Sequence, residues 1–315
     1  MPRIHVLPPE VANRIAAGEV VERPFSVVKE LVENALDAGS SSVQVEIEDG
    51  GRALVRVTDD GDGILPEDLA RLFTRHATSK LETLEDLEGI GTLGFRGEAL
   101  ASIGSVAEVE ILSRKRGQDL GASVLCRDGI VEAPGSRGAP EGTSVAVRNL
   151  FANLPARRKF LRQAPAESRA IADWVTRLAL ARPDVRFELK HGGRPVLSCA
   201  AAPDARQRLG DLYGDELAAE LLPVAGSAEG ILVRGWVSSP RLSFPNAAMQ
   251  FLFLGARSIQ DKTVAHAVRE AFHTLLPSRR SPMALLVLEP DLGEVDVNVH
   301  PAKAEVRFRR PSEAH

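Results

Sequence analysis

The most regular pattern of hydrophobic and polar positions lies in residues 24–39, PFSVVKELVENALDAG. Its apolar positions recur at helical spacing and form one broad side: Val27, Val28, Leu31, Val32, Ala35 and Leu36. Pro24 and Gly39 suit the first turn of a helix and the position just after its end. The opposite side carries residues at i, i+3, i+4 and i+7, namely Glu30, Glu33, Asn34 and Asp37. The pattern predicts an amphipathic helix whose polar side is either simply solvated or arranged around a ligand.

Two runs with period-two alternation follow this helix. Val43, Val45 and Ile47 alternate with polar residues, and a second run covers residues 53–58. Their short Asp-Gly-Gly connection requires antiparallel pairing. A helix followed by a hairpin favours an α+β architecture, with helices on one face of a sheet. Further elements of this part are predicted as strands near residues 106–113, 122–127, 143–147 and 185–199, and a helix over 166–181.

A shift to polar residues at 203–205 marks the predicted domain boundary, with a first domain over residues 1–203 and a second over 204–315. The second domain shows strand patterns at 231–237, 250–254 and 284–288, with a helical pattern at 263–276. Strands separated by a helix indicate a βαβ arrangement.

Composition and charge exclude several classes of protein. Hydrophobic residues make up 44% and charged residues 26%, as in ordinary globular proteins. The net charge of −4 means that any surface for nucleic acid must be local. Cys126 and Cys199 lack a disulfide or metal-ligand pattern and are expected to be buried free thiols. No apolar run reaches membrane-spanning length, so we expect a soluble, cytoplasmic protein without membrane contacts.

The polar side of the predicted helix offers two groups for chemistry on one ligand. Glu30 is a candidate general base that orients water, and Asn34 offers a neutral oxygen to a hard cation such as Mg²⁺. Asp59 ends a predicted strand and is followed by DGDGI, where glycines let a ligand approach the backbone. The same stretch lacks the ligand spacing of a calcium loop, so Asp59 is a candidate acceptor for a ligand amino group.

Residues 89–100 contain four glycines ahead of a predicted helix, an arrangement that presents free amides to phosphate. They are either a phosphate-binding lid or a flexible connector, and no Walker motif occurs in the chain. A basic run follows at residues 155–162, in which Phe160 and Leu161 are expected to anchor a helix. Its cations are either solvated surface or contacts for phosphates: Arg157, Arg158, Lys159 and Arg162.

Taken together, these motifs resemble MutL-type DNA mismatch-repair proteins, within the GHKL superfamily of ATPases. The resemblance rests on IAAGEVVERP (15–24), KELVENALDAG (29–39), DDGDGI (59–64), RHATSK (75–80), GFRGEALASI (94–103), GTSV (142–145), PARRKFL (155–161) and VDVNVHPAKAEVRF (295–308). It implies a Bergerat-type ATP-binding sandwich followed by a ribosomal-protein-like βαβ domain. Members of the family continue into a C-terminal dimerisation domain, so we expect this chain to be an N-terminal fragment with no nuclease site.

The resemblance also implies roles for particular residues, with ATP and Mg²⁺ as ligands. Glu30 and Lys303 would be catalytic, Lys303 reaching the γ-phosphate, and Asn34 would bind the metal. The nucleotide would be held by Asn34, Asp37, Asp59, Gly63, Thr78, Ser79, Gly94, Phe95, Arg96, Gly97, Glu98, Ala99, Leu100 and Thr143. DNA would contact Arg157, Arg158, Lys159, Arg162 and Lys262, although Lys262 stands where relatives often carry an arginine, and Gly255-Ala256-Arg257 stands where they carry Asn-Gly-Arg.

The implied function is an ATP-hydrolysing switch of DNA mismatch repair that dimerises around DNA when ATP is bound. Its expected partners are DNA of any sequence, single- or double-stranded, a MutS-type mismatch recognition protein, and a downstream helicase or nuclease. Other ATPases of the superfamily, a chaperone or a type II topoisomerase gate, are the alternative. A histidine kinase is disfavoured because the seven histidines show no helical phospho-acceptor pattern, and the net charge disfavours a non-enzymatic DNA-binding protein.

Overall fold

A computed structural model describes residues 20–80, 97–228, 230–255, 257–290, 295–296 and 307–308. The chain divides into two compact units. Among the described residues, the first contains those up to Val175 together with Val185–Ala200, and the second contains Thr176–Asp184 and those from Ala201 onward. The domain boundary after residue 203 stays a prediction. No helix in the described ranges is long and apolar enough to cross a membrane.

The first unit is built on a nine-stranded sheet. In chain order its strands are β1 (Ser42–Glu48), β2 (Leu54–Asp59), β3 (Glu108–Arg114), β4 (Gly121–Arg127), β5 (Ile130–Val131), β6 (Gly135–Arg137), β7 (Gly142–Arg148), β8 (Arg186–His191) and β9 (Arg194–Cys199). Their order in the sheet is β5-β4-β3-β7-β2-β1-β8-β9, with β6 beside β4. The β1–β8 pair is parallel, and the other pairs are antiparallel. The predicted α+β architecture and the β1–β2 hairpin are confirmed.

The described part of the first unit also contains five α-helices. They are α1 (Pro24–Asp37), the short α2 (Pro66–Leu69), α3 (Ala99–Val106), α4 (Pro155–Lys159) and α5 (Ala164–Ala181), whose last turns belong to the second unit. Helix α1 contacts β1 and β2, and α3 contacts β3 and β4. The predicted apolar side of α1 is buried throughout, as are the alternate residues Val43, Val45 and Ile47 of β1. Both cysteines are free and buried, as expected.

The second unit contains a five-stranded sheet in the order β10-β11-β16-β13-β14. Its described elements are α6 (Ala205–Tyr213), α7 (Asp215–Ala219), β10 (Leu221–Ala228), β11 (Ile231–Ser238), β12 (Ser243–Phe244), β13 (Gln250–Leu254), β14 (Arg257–Ile259), α8 (Lys262–Ala271), β15 (Ser281–Pro282), β16 (Ala284–Pro290), β17 (Val295–Asp296) and β18 (Arg307–Phe308). Strands β13 and β16 pair in parallel across α8, which confirms the βαβ prediction. Helix α8 ends at Ala271, before the predicted end near residue 276.

Strand β13 is buried on both sides of this sheet. Phe251 and Phe253 lie in one hydrophobic cluster with residues of α6, whereas Leu252 and Leu254 lie in another with residues of α8. Successive side chains of a strand point to opposite faces. A continuous apolar run is therefore what a sheet covered on both faces requires.

A fully buried arginine binds carbonyl groups at the C-terminal end of α5, within the second unit. Arg208 on α6 donates hydrogen bonds to the carbonyl oxygens of Ala179, at 2.9 Å, and Pro183, at 2.8 Å. The last carbonyls of a helix have no partner inside the helix. Arg208 supplies one charged donor to the Ala179 carbonyl in the last turn and another to the Pro183 carbonyl just after the helix. The Arg208 side chain itself is fully buried.

We expect Arg208→Met to lower the free energy of unfolding by about 3 kcal/mol, because the carbonyl groups of Ala179 and Pro183 lose charged donors. Urea titration followed by circular dichroism measures the shift. The matched control is Arg186→Met, which removes an exposed arginine and should change the stability by less than about 0.5 kcal/mol. Equal effects of the two substitutions would contradict a structural role for Arg208.

Candidate functional site

The polar side of α1 forms one wall of the candidate site. Glu30, Asn34 and Asp37 are half-buried along successive turns of the helix. The ammonium of Lys80 donates to Asn34 Oδ1 at 2.9 Å and to Asp37 Oδ2 at 2.5 Å. The side chains of Lys80 and Asp37 are only 20% and 8% exposed, so this ion pair is largely screened from water. The structure therefore brings Asn34 and Asp37 together around a positive charge.

These oxygens suit the magnesium ion that the resemblance implies. Mg²⁺ prefers oxygen ligands and is commonly held by one or two protein groups together with substrate phosphates. Asn34 Oδ1 and Asp37 Oδ2 already converge on one cation, the Lys80 ammonium, which serves as a stand-in for a metal ion. Lys80 was not assigned a role from the sequence, although it ends the RHATSK motif.

Asp59 lies at the end of β2, next to Thr143 at the start of β7. Its Oδ1 accepts a hydrogen bond from the Gly61 amide at 2.9 Å. Burial raises the pKa of Asp59 to about 6, although the amides of Gly61 and Thr143 act in the opposite direction. The groups that shift this pKa include no cation. The partly buried carboxylate would therefore be stabilised by an additional hydrogen-bond donor. The arrangement suits the recognition of an amino group.

The loop after β2 is held in place by its own backbone and by Ser113. The buried Ser113 hydroxyl accepts from the Ile64 amide and donates to the Gly142 carbonyl, both at 2.9 Å. Gly63 has a φ of +69°, and a Cβ there would lie 2.1 Å from the carbonyl oxygen of Arg114. Gly63 is therefore required by the packing of the loop, and Ser113 is a supporting residue that no sequence motif indicated.

Asp60, the neighbour of Asp59, has a different task. Its carboxylate accepts from the amides of Ser41 and Ser42, each at 2.8 Å, and from the Ser41 hydroxyl at 2.5 Å. Burial opposes ionisation, but these hydrogen bonds outweigh it and hold the pKa of Asp60 below its usual value. Asp60 thus ties the loop after β2 to the connection between α1 and β1.

The described part of the predicted phosphate-binding segment begins at Gly97 and enters α3. Glu98 precedes the helix, with Ala99 and Leu100 in its first turn. A Glu98 oxygen lies 3.4 Å from His76 Nδ1. Thr78 and Ser79 are exposed, and Thr78 Oγ1 accepts from the Lys80 amide at 3.1 Å. Four predicted site residues lie outside the described residues: Gly94, Phe95, Arg96 and Lys303.

The basic segment differs from its prediction in two respects. Helix α4 ends at Lys159, so Arg162 lies beyond it. Phe160 does not anchor the helix, since it is 88% exposed. Arg157 donates to the Val21 carbonyl at 2.6 Å and lies over the Phe151 ring, so its guanidinium already has protein partners.

The remaining predicted DNA contacts are accessible to solvent. Arg158, Lys159 and Arg162 are exposed around Phe160. Lys262 is exposed at the first position of α8, where Asp261 caps the helix by accepting from the Thr263 and Val264 amides.

The class of protein is indicated by three features of the first unit. These are the sheet, the helix α1 with its acidic and amide side chains, and the loop that follows Asp59. Residues 22–130 match the family model described as histidine kinase-, DNA gyrase B- and HSP90-like ATPase. The first unit is therefore an ATPase domain of this GHKL class.

Comparison with related proteins identifies the family within this class. Residues 209–315 match the family model described as DNA mismatch repair protein, C-terminal domain. The Aquifex aeolicus MutL ATPase domain complexed with ADP is 32% identical, with a TM-score of 0.67, and the match covers 86% of this chain and 93% of that one. The chain belongs to the MutL family of DNA mismatch-repair proteins, which sets aside the chaperone and topoisomerase alternatives.

Two curated relatives show how much of such a protein is present. MutL of Symbiobacterium thermophilum is 48% identical over 99% of this chain and 49% of its own length. MutL of Anaeromyxobacter sp. strain K is 50% identical over 98% of this chain and 51% of its own length. The chain spans about half the length of these relatives.

The raised pKa of Asp59 leads to a prediction for ligand binding. If adenine donates to the ionised carboxylate, affinity for ADP should be constant above pH 7 and fall as the pH drops through about 6, reaching roughly tenfold weaker binding near pH 5. Calorimetric titration at pH 7.5, 6 and 5 measures this change.

Asp59→Asn is the control for the titration of Asp59. It should bind ADP more weakly at pH 7.5 and show only the pH dependence of the nucleotide itself. Wild type and variant with parallel pH profiles would remove Asp59 from the binding site.

Proposed function

We propose that this chain binds and hydrolyses ATP and acts as an ATP-driven switch in DNA mismatch repair. ATP would close two copies of the chain around DNA and pass the signal of a MutS-type mismatch recognition protein to a downstream helicase or nuclease. The observation that carries the nucleotide assignment is the Asp59 carboxylate, ionised near neutral pH although largely buried, beside Thr143 at a strand end.

Adenine recognition follows from this position. The Asp59 carboxylate accepts a hydrogen bond from the exocyclic amino group, which relieves the cost of burying a charge. Thr143 lies beside Asp59 across the β2–β7 pair, with its hydroxyl 2.9 Å from Ser113 Oγ. A guanine would place a carbonyl oxygen against the carboxylate at the equivalent ring position, so the site favours adenine.

Hydrolysis is assigned to the polar side of α1. Glu30 orients the attacking water and takes its proton, and Asn34 holds the metal ion with help from the nearby Asp37. When bound, Mg²⁺ neutralises charge on the phosphates. The amides around Gly97–Leu100, at the start of α3, hold the phosphates. Lys303 is proposed to meet the γ-phosphate and so to distinguish ATP from ADP.

DNA contact is assigned to the basic segment and to Lys262. Residues 149–166 contain four cations and no acidic residue, against a net charge of −4 for the chain. An exposed aromatic ring among exposed cations suits single-stranded nucleic acid, whose bases are free to stack. Phe160 is therefore assigned to base stacking, with Arg158, Lys159 and Arg162 at the phosphates.

Glu30→Ala tests the hydrolytic assignment. We expect ATP affinity to stay within a few-fold of wild type while hydrolysis drops roughly 10²–10⁴-fold, the usual contribution of a general base. The variant should accumulate with ATP bound and elute as a dimer in gel filtration. Phosphate release and calorimetry give the two quantities separately.

Glu33→Ala is the matched control, because Glu33 lies one turn further along α1 and pairs with Lys29. It should hydrolyse ATP at nearly the wild-type rate. Normal hydrolysis by Glu30→Ala would leave Glu30 without a catalytic role, whereas loss of ATP binding would make it a binding or structural residue.

Arg158→Glu combined with Arg162→Glu tests the DNA assignment. Single-stranded DNA of any sequence should bind more weakly, and the log–log slope of affinity against salt should decrease by about 1.4, or 0.7 for each lost phosphate contact. Fluorescence anisotropy at several salt concentrations measures the slope. Arg186→Glu combined with Arg194→Glu, on β8 and β9, changes the net charge equally and should leave the slope unchanged.

Phe160→Ala separates base stacking from charge in the same assay. Affinity for single strands should fall by roughly 5- to 100-fold without a change in slope, and duplex affinity should change little. An unchanged affinity for single strands would leave only phosphate contacts at this segment.

A further inference from the structure

Lys80 occupies the position on α1 that a magnesium ion would need. Lys80 Nζ binds the very oxygens proposed for the metal site, Asn34 Oδ1 at 2.9 Å and Asp37 Oδ2 at 2.5 Å. A magnesium–oxygen bond is about 2.1 Å long. An ammonium and a divalent cation bound to the same Asn34 oxygen would thus be at most about 5 Å apart, in a place where little water screens their repulsion.

We propose that Lys80 is a positioning residue that holds the cation position of the site and exchanges it with the metal ion of the incoming nucleotide. This inference rests on the proposed ATPase function. While Lys80 is in place, it compensates the buried charge of Asp37 and keeps the Asn34 amide oxygen aimed at the cation position. A divalent ion alone cannot displace it, whereas a metal ion that arrives with phosphates brings the negative charge that draws the ammonium away.

The segment that carries Lys80 also touches the start of the predicted phosphate-binding helix. Gly97 has a φ of +61°, and a Cβ there would lie 2.6 Å from the carbonyl oxygen of Ala77. His76 Nδ1 lies 3.4 Å from Glu98. Because residues 76–80 contact both α1 and the residues just before α3, displacement of Lys80 moves a segment that is packed against the phosphate-binding amides. Metal entry and the arrangement of those amides are therefore coupled through Lys80.

The test measures Mn²⁺ binding by electron paramagnetic resonance, in the absence of nucleotide, so that it does not depend on hydrolysis. Wild type should bind Mn²⁺ only weakly at the site. Lys80→Met removes the competing cation and leaves the Asp37 charge uncompensated, so its Mn²⁺ affinity should rise at least tenfold. Lys80→Arg keeps a cation and should resemble wild type. Adding Asn34→Ala to Lys80→Met should abolish the gain.

Two further variants and one measurement keep the outcome unambiguous. Lys190→Met, which breaks the Lys190–Glu188 ion pair on β8, removes the same charge elsewhere and should not improve Mn²⁺ binding. Circular dichroism reports whether each variant is folded, and Lys80→Gln replaces the methionine variant if that one is not. Equal Mn²⁺ affinity in wild type and in a folded Lys80→Met or Lys80→Gln variant would overturn the proposal.

Failure of the proposed function is seen in a different experiment. Calorimetry of wild type with ATP and Mg²⁺ that shows no binding would refute the ATPase assignment. The Mn²⁺ titration of the Lys80 variants would still report whether Lys80 occupies a cation site.

Discussion

Burial of the apolar side of α1 against β1 and β2 is the interaction on which the candidate site depends. Val27, Val28 and Val32 are fully buried, and burying each such side chain stabilises the unit by about 1.5–3 kcal/mol. Successive helical residues are rotated by about 100°, so the same packing fixes the direction of every polar side chain on the helix. Glu30, Asn34 and Asp37 therefore face the site without needing a ligand to orient them.

Three aspartates of the site are stabilised in three different ways. Asp37 is paired with the Lys80 ammonium, and Asp60 accepts three hydrogen bonds, which keep its pKa low. Asp59 has a raised pKa because burial outweighs the amides that it accepts from. Ionisation of Asp59 therefore lowers the free energy of unfolding. This loss is absent below about pH 4, grows between about pH 4 and pH 6, and is complete above that range. Of the three, Asp59 is the one with most to gain from an additional donor.

Sequence patterns that extend over a few neighbouring positions predict much of the fold. The limits of α1, the β1–β2 hairpin and the βαβ arrangement around β13 and β16 follow from periodicity and turn residues, which act over a few positions. Contacts between distant segments could not be predicted in this way. The bond from Lys80 to Asn34 and the role of Ser113 depend on how the sheet brings remote segments together. Phe160 was placed wrongly because helical spacing alone does not show that α4 ends one residue earlier.

Because β1 pairs with β8, the sheet of the first unit cannot be completed until a late stage of synthesis. Val43 lies beside Phe187, and the sheet is completed only by β9, which ends at Cys199. A ribosome that adds about 5–20 residues per second needs roughly 8–30 s to pass from the end of β1 to the end of β9. During that time one edge of β1 has no strand to pair with, and an open edge is a template for pairing with another chain. The newly made first unit is thus most exposed to aggregation just before β8 and β9 leave the ribosome.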